Sequence, residues 1–153
     1  MLDIATPAPD FTLPDGSGTD VTLSALQGGP VVLYFYPRDD TPGCTKESIA
    51  FSEHLPAFEA AGAKVFGISK DSVASHAKFA TKRELTVPLL SDENGSTCED
   101  YGVWKEKNMY GKKYMGIERT TYLIDANGHV AMVWGKVKVP GHAEAVLAAV
   151  EAL

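Results

Sequence analysis

Residues 34–47 read YFYPRDDTPGCTKE, and the types and spacing of its members are those of a reactive thiol site. Cys44 does not sit inside the apolar run Val31–Tyr36, where a cysteine that only fills a core would more naturally lie. It comes after a polar break and Thr41-Pro42-Gly43. With Thr41 as N-cap, Pro42 takes the first helical position, where its missing N–H has no helical partner to lose. Cys44 then falls in the first turn, beside free backbone N–H groups and the positive end of the helix dipole. The thiolate is the reactive form of cysteine, and this setting favours it over the thiol. An ordinary cysteine is only about 3% ionised at neutral pH, so full ionisation gains at most roughly thirty-fold in rate. Anything more must come from holding a substrate and stabilising the charge that moves in the transition state.

Two other residues suit that second task, and three more can support them. The Thr41 hydroxyl, three positions before the thiol, can both donate and accept a hydrogen bond. Arg119, at the start of the segment RTTYLI, is the candidate for stabilising the thiolate and donating to a substrate oxygen. Glu47, one helical turn beyond Cys44, is placed to orient that arginine, or else simply to complement the helix dipole. Pro37 is placed to shield the site from water, and Gly43 lies beside the thiol within the same turn.

The elements that must position these residues follow from local pattern. Phe11–Leu13 and Val21–Leu23 flank the turn-rich PDGSGTD and predict an N-terminal hairpin. Val31–Tyr36, apolar on both faces, reads as a buried central strand. A helix is expected from about Pro42, kinked or split by Pro56 near Ser52–Leu55. Further on come a strand over Lys64–Ser69, a helix over Ser72–Lys82, a short strand over Val87–Leu90 and a short helix over Asn94–Tyr101. Thr120–Asp125 and His129–Gly135 flank Ala126-Asn127-Gly128, whose Asn-Gly pair favours a tight hairpin. Ala143, Val146, Leu147 and Val150 recur at helical spacing in a last helix over Pro140–Leu153. The layout is that of one α/β domain spanning residues 1–153, with a mixed central sheet flanked by helices.

Composition narrows the partners. The chain is 44% hydrophobic and 22% charged, which suits an ordinary globular core, and its net charge of −6 argues against a nucleic-acid partner. No apolar run approaches the roughly 18–20 residues of a membrane span. The opening MLDIATPAPDFTL lacks the basic-then-apolar order of a signal peptide, and two cysteines do not make a disulfide scaffold, so a reducing, cytoplasmic setting is expected. Nothing reads as a dimerisation element, which favours a monomer. His54, His76, His129 and His142 show no recognised metal-ligand spacing.

The stretch PRDDTPGCT resembles the peroxiredoxin signature P-x-x-x-T-x-x-C, and the fuller YFYP…TPGCTKE is similar to the peroxiredoxin Q branch, also called bacterioferritin comigratory protein. APDFTLPDG, LLSDENG and WKEKNMYGKKYMGIERTTYLIDANG extend the resemblance along nearly the whole chain. It implies a thioredoxin-like fold and reduction of hydrogen peroxide and organic hydroperoxides, with Pro37, Thr41 and Cys44 on the signature and Arg119 as the site arginine. The implied cycle has the Cys44 thiolate attack the peroxide O–O bond and become a sulfenic acid, which a thiol then reduces, with no metal or organic cofactor. Thioredoxin, glutaredoxin or a small thiol is the implied reductant.

Many members of that branch carry a resolving cysteine five residues after the peroxidatic one, and here that position is Ile49. The other thiol, Cys98, lies 54 residues downstream and would need local unwinding to reach Cys44. The expected cycle therefore uses one cysteine and an external thiol, with resolution by Cys98 as the alternative. Two further readings stand beside the peroxidase. A thiol–disulfide oxidoreductase would want Cys-x-x-Cys, and Thr41 stands where its first thiol would be. A non-enzymatic holdase would make the thiol incidental. Lys105–Arg119, with Lys105, Lys107, Lys112, Lys113 and Arg119 against Glu106 and Glu118, reads as a solvated basic loop. Its sharper reading is a loop that stabilises the thiolate or docks an acidic reductase. Trp104, Tyr110 and Tyr114 are taken as packing residues.

Overall fold

Strand β3 (Val31–Phe35) lies at the centre of a five-stranded sheet in a computed structural model that describes residues 1–153. It pairs in parallel with β4 (Lys64–Ser69) and antiparallel with β8 (Thr120–Ile124). β5 (Leu89–Ser91) and β9 (Val130–Trp134) form the edges, giving the order β5-β4-β3-β8-β9. The antiparallel hairpin β1 (Thr12–Pro14) and β2 (Asp20–Thr22) stands at the N-terminus as expected. β5 begins two residues later than the pattern Val87–Leu90 implies.

Every residue of β3 is buried, and its alternation divides the core in two. Val31, Leu33 and Phe35 face one cluster, which also holds Phe11, Leu13, Cys98 and Tyr101. Val32, Tyr34 and Tyr36 face the other, which holds Cys44, Phe51 and Phe58 of the long helix α1 (Pro42–Ala60). The inward stripe of α1, Cys44, Ser48, Phe51 and Phe58, follows the helical period and turns the thiol toward the sheet. Phe51 stacks on Tyr34 with centroids 4.5 Å apart, and each such buried ring contributes about 1.5–3 kcal/mol. Gly67 of β4 allows this packing, because a Cβ there would lie 2.5 Å from the Tyr34 ring. Tyr34 in turn shares a 2.9 Å hydrogen bond with Ser48, fixing the first turns of α1 over the strand.

Pro56 does not split α1. A proline at this position leaves the carbonyl four residues back without its helical donor. That carbonyl, on Ser52, accepts instead from the Thr86 hydroxyl at 3.3 Å, while Ser52 Oγ accepts from the N–H groups of Thr86 and Val87. The lost bond is replaced from outside the helix, so the helix continues.

Helix α2 (Val73–Arg83) is capped by Ser72, whose hydroxyl accepts from Ser75 N–H. Helix α3 (Thr97–Asp100) is shorter than expected, and α4 (His142–Glu151) closes the chain against α1. The segment read as a basic loop is instead a second hairpin, β6 (Trp104–Met109) and β7 (Lys112–Ile117), separate from the central sheet. The turn Tyr110-Gly111, with both residues at positive φ, joins strands that are mostly exposed. Without a buried face these strands lack the alternation that marks a half-buried strand, which is why the pattern missed them.

Candidate active site

The chain leaves the C-terminal end of β3 at Phe35, runs through Tyr36–Thr41 and enters α1. The loop between is held on three sides. Asp39 is buried and accepts from the Tyr36 hydroxyl at 2.6 Å and from Ser75 Oγ at 2.8 Å. His76 Nδ1 lies 2.8 Å from the same carboxylate, and its Nε2 lies 2.9 Å from the Leu90 carbonyl. The Asp39 N–H donates to Asp71 Oδ2, and Asp71 also accepts from Ser69 Oγ. Asp40 has φ of 59°, a left-handed conformation that aspartate tolerates better than most residues, and is pinned by Lys82 at 2.6 Å and Arg83 at 2.8 Å. The acids Asp39 and Asp40 were visible in the sequence only as a polar break. Their partners, His76 and the Lys82-Arg83 helix end, were visible only as members of α2.

This brace sets Thr41 in the extended conformation of an N-cap, with Pro42 at the first helical position as expected. The Thr41 side chain does not cap the helix; its hydroxyl donates to the Arg38 carbonyl at 2.9 Å. Pro37 is exposed and shares the wall of a cleft with Thr41. Cys44 is 1% exposed.

Arg119 arrives from the start of β8 and joins the other two expected residues. Its Nη2 donates to Cys44 Sγ at 3.3 Å, and its Nη1 donates to Glu47 Oε1 at 2.6 Å. Gly43 lets the guanidinium pass, since a Cβ there would stand 3.1 Å from Nη2. One planar fork thus links the sulfur to an acid a helical turn away. A lysine, with a single point of charge, lacks the geometry to do this.

Glu47 is 1% exposed, and its Oε2 has no hydrogen-bond partner. Burial pushes its carboxyl up to about 7, against the pull of Arg119. His142, whose Nε2 lies 2.8 Å from Thr121 Oγ1, is pushed the other way: burial, helped by Arg119, lowers it to about 4. The two have opposite consequences for stability. Folding takes up a proton at Glu47 between its usual 4.5 and about 7, so that contribution is present below 4.5 and is lost as pH rises through about 7. Folding excludes a proton from His142, so that contribution is present above 6.5 and is lost as pH falls through about 4. Glu47→Gln keeps an acceptor for Arg119 but cannot titrate. From about pH 4 to 8, urea titrations should show the native chain losing up to about 3 kcal/mol relative to this variant. A difference that stays constant with pH would show that folding leaves the Glu47 carboxyl at its usual value.

Cys98 lies in the first turn of α3, where its N–H donates to Asp92 Oδ2 at 2.8 Å. It is fully buried, and burial, reinforced by Asp92, holds its thiol far above the ordinary range. Its core cluster lies across the central sheet from that of Cys44, and both thiols are free. The structure therefore brings together Cys44, Arg119, Glu47 and Gly43, sets Thr41 and Pro37 at the rim, and leaves Cys98 on the other face.

A thiol at a helix N-terminus, gripped by a guanidinium over a thioredoxin-like sheet, defines a thiol-based redox protein. The sequence profile of the AhpC/TSA family matches residues 4–133. Peroxiredoxin Bcp of Xanthomonas campestris is 51% identical over 95% of this chain and 92% of its own length. Peroxiredoxin Bcp of Bacillus subtilis is 44% identical over 92% and 90%. Among solved structures, the X. campestris bacterioferritin comigratory protein superposes with a TM-score of 0.91 at 48% identity, covering 99% of this chain and 97% of that one. A peroxiredoxin Q mutant from Xylella fastidiosa gives 0.94 at 41% identity, with coverage of 99% and 97%. The chain belongs to the AhpC/TSA family, in its peroxiredoxin Q or Bcp branch, and is a thiol-dependent peroxidase.

Proposed function

We propose that Cys44 is the peroxidatic residue of a one-cysteine cycle acting on hydrogen peroxide and organic hydroperoxides. The observation that carries this reading is the Arg119 fork, which donates to the sulfur at 3.3 Å and is fixed from behind by buried Glu47. The Cys44 thiolate attacks the outer peroxide oxygen, the O–O bond breaks, and the departing oxygen takes a proton to leave as water or an alcohol. Cys44 is then a sulfenic acid. An external thiol condenses with it, releasing water and leaving a mixed disulfide, which a second thiol reduces. Thioredoxin, glutaredoxin or a small thiol would serve. The X. campestris relative has been studied for alkyl peroxide reduction, which supports including organic hydroperoxides. We further read the chain as a single-domain, monomeric, cytoplasmic enzyme; no helix is long and apolar enough to cross a membrane.

The reductive half is tested by intact mass. One equivalent of hydrogen peroxide, followed by a sulfenic-acid trap, should label Cys44 and leave Cys98 free. A loss of about two mass units with no adduct would mean a Cys44–Cys98 disulfide, and a two-cysteine cycle would replace this one.

A further inference from the structure

Hairpin β6–β7 carries one lysine that differs from its neighbours. Lys105, Lys112 and Lys113 are exposed, whereas Lys107 is half-buried and forms no ion pair. Its stem lies across the backbone of Gly116 on β7, where a Cβ would come within 3.2 Å of the lysine Cδ. Glycine at that position gives the side chain a path over the hairpin instead of out into solvent. That path leads into the cleft lined by Pro37 and Thr41 on one wall and by Trp104, Tyr114 and Met115 on the other. Arg38, Lys70 and Asp71 also line this cleft, Arg119, the Cys44 sulfur and Glu118 act on Lys107 as well, and burial together with Arg119 makes its ammonium easier to deprotonate than usual. A long cation is thus partly desolvated and held in no ion pair, in a cleft that borders the loop leading to a sulfur that must be an anion to react. Desolvating an unpaired charge costs free energy and needs a compensating interaction.

We propose that Lys107 is a second cation of the peroxidatic site, acting through space on the Cys44 thiolate and on the negative charge that passes to the departing oxygen. Arg119 touches the sulfur, while Lys107 acts as a positioning charge from across the cleft, which makes the β6–β7 hairpin part of the site. This rests on Cys44 being the reacting thiol, so the test has one readout that does not require peroxide. Cys44 carboxamidomethylation by iodoacetamide, followed by peptide mass, is measured against pH for the native chain, Lys107→Met, Lys107→Arg and Lys105→Met.

Lys107→Met should alkylate about three- to tenfold more slowly near pH 6.5, with the gap closing as the solution itself ionises the thiol. Lys107→Arg should restore most of the rate, and Lys105→Met, at an exposed position of the same strand, should leave it unchanged. A Lys107→Met profile that overlays the native one, or an equal fall with Lys105→Met, would overturn the proposal. Failure of the native chain to consume peroxide would instead remove the peroxidatic assignment of Cys44, and the alkylation profile would still report on Lys107.

Discussion

Cys44→Ser should retain the fold and lose peroxide consumption entirely, down to the background of the assay without protein. Serine preserves the size of the side chain, and the residue's inward position among Tyr34, Tyr36 and Phe51 needs little more than that size. Its hydroxyl, however, stays protonated at neutral pH, and oxygen does not form the sulfenic acid through which the cycle runs. The matched control is Cys98→Ala, which should keep most of the activity because that thiol is held protonated in the opposite core cluster. The assay is loss of hydrogen peroxide with dithiothreitol as reductant, alongside a urea titration of each variant. Activity surviving in Cys44→Ser would mean that another group reduces peroxide, or that the thiol is incidental.

Arg119→Met should lower the peroxide rate by about 10²–10³-fold, the loss found when one donor to a developing charge is removed from a preorganised site. The guanidinium performs two tasks that methionine cannot: it donates to Sγ at 3.3 Å and anchors on Glu47 at 2.6 Å. Removing one partner of a buried ion pair usually costs stability as well, because a charge is left stranded. Here that cost is limited, since burial already pushes Glu47 up to about 7 and the acid can hold its proton. The fold should therefore survive at about pH 6, and the variants are best compared there. Arg119→Lys should fall between, keeping the charge but losing the two-pronged grip. A rate for Arg119→Met within threefold of the native chain would remove Arg119 from the mechanism.

Much of this site was legible because its signals are local. Thr41-Pro42 announces a helix start and sets Cys44 in its first turn. The run Val31–Tyr36 is apolar on both faces because both faces of the central strand are covered. What stayed hidden depends on residues far apart in the chain. Pro56 looked like a break because its rescue comes from Thr86, thirty residues on. The Asp39–His76 brace joins a loop to a helix, and neither half shows any signature of the other. The strands of the β6–β7 hairpin are too exposed to imprint a period, so in the sequence only their charges stand out. The place of Lys107 over Gly116 follows only from the register that pairs Lys107 with Tyr114 and Lys105 with Gly116.

The central sheet stands between the two thiols of this chain, and in the proposed cycle that partition sets what the oxidised enzyme waits for. In a protein whose own second thiol closes the cycle, the lifetime of the sulfenic acid is a property of the molecule, set by how fast its helix opens. In the one-cysteine cycle proposed above the next reagent comes from solution, and so does the second peroxide that would carry the sulfur on to the irreversible sulfinic acid. The fate of each turnover is then a race between two diffusing solutes. The fraction of enzyme lost per cycle becomes a gauge of the ratio of peroxide to free thiol around it.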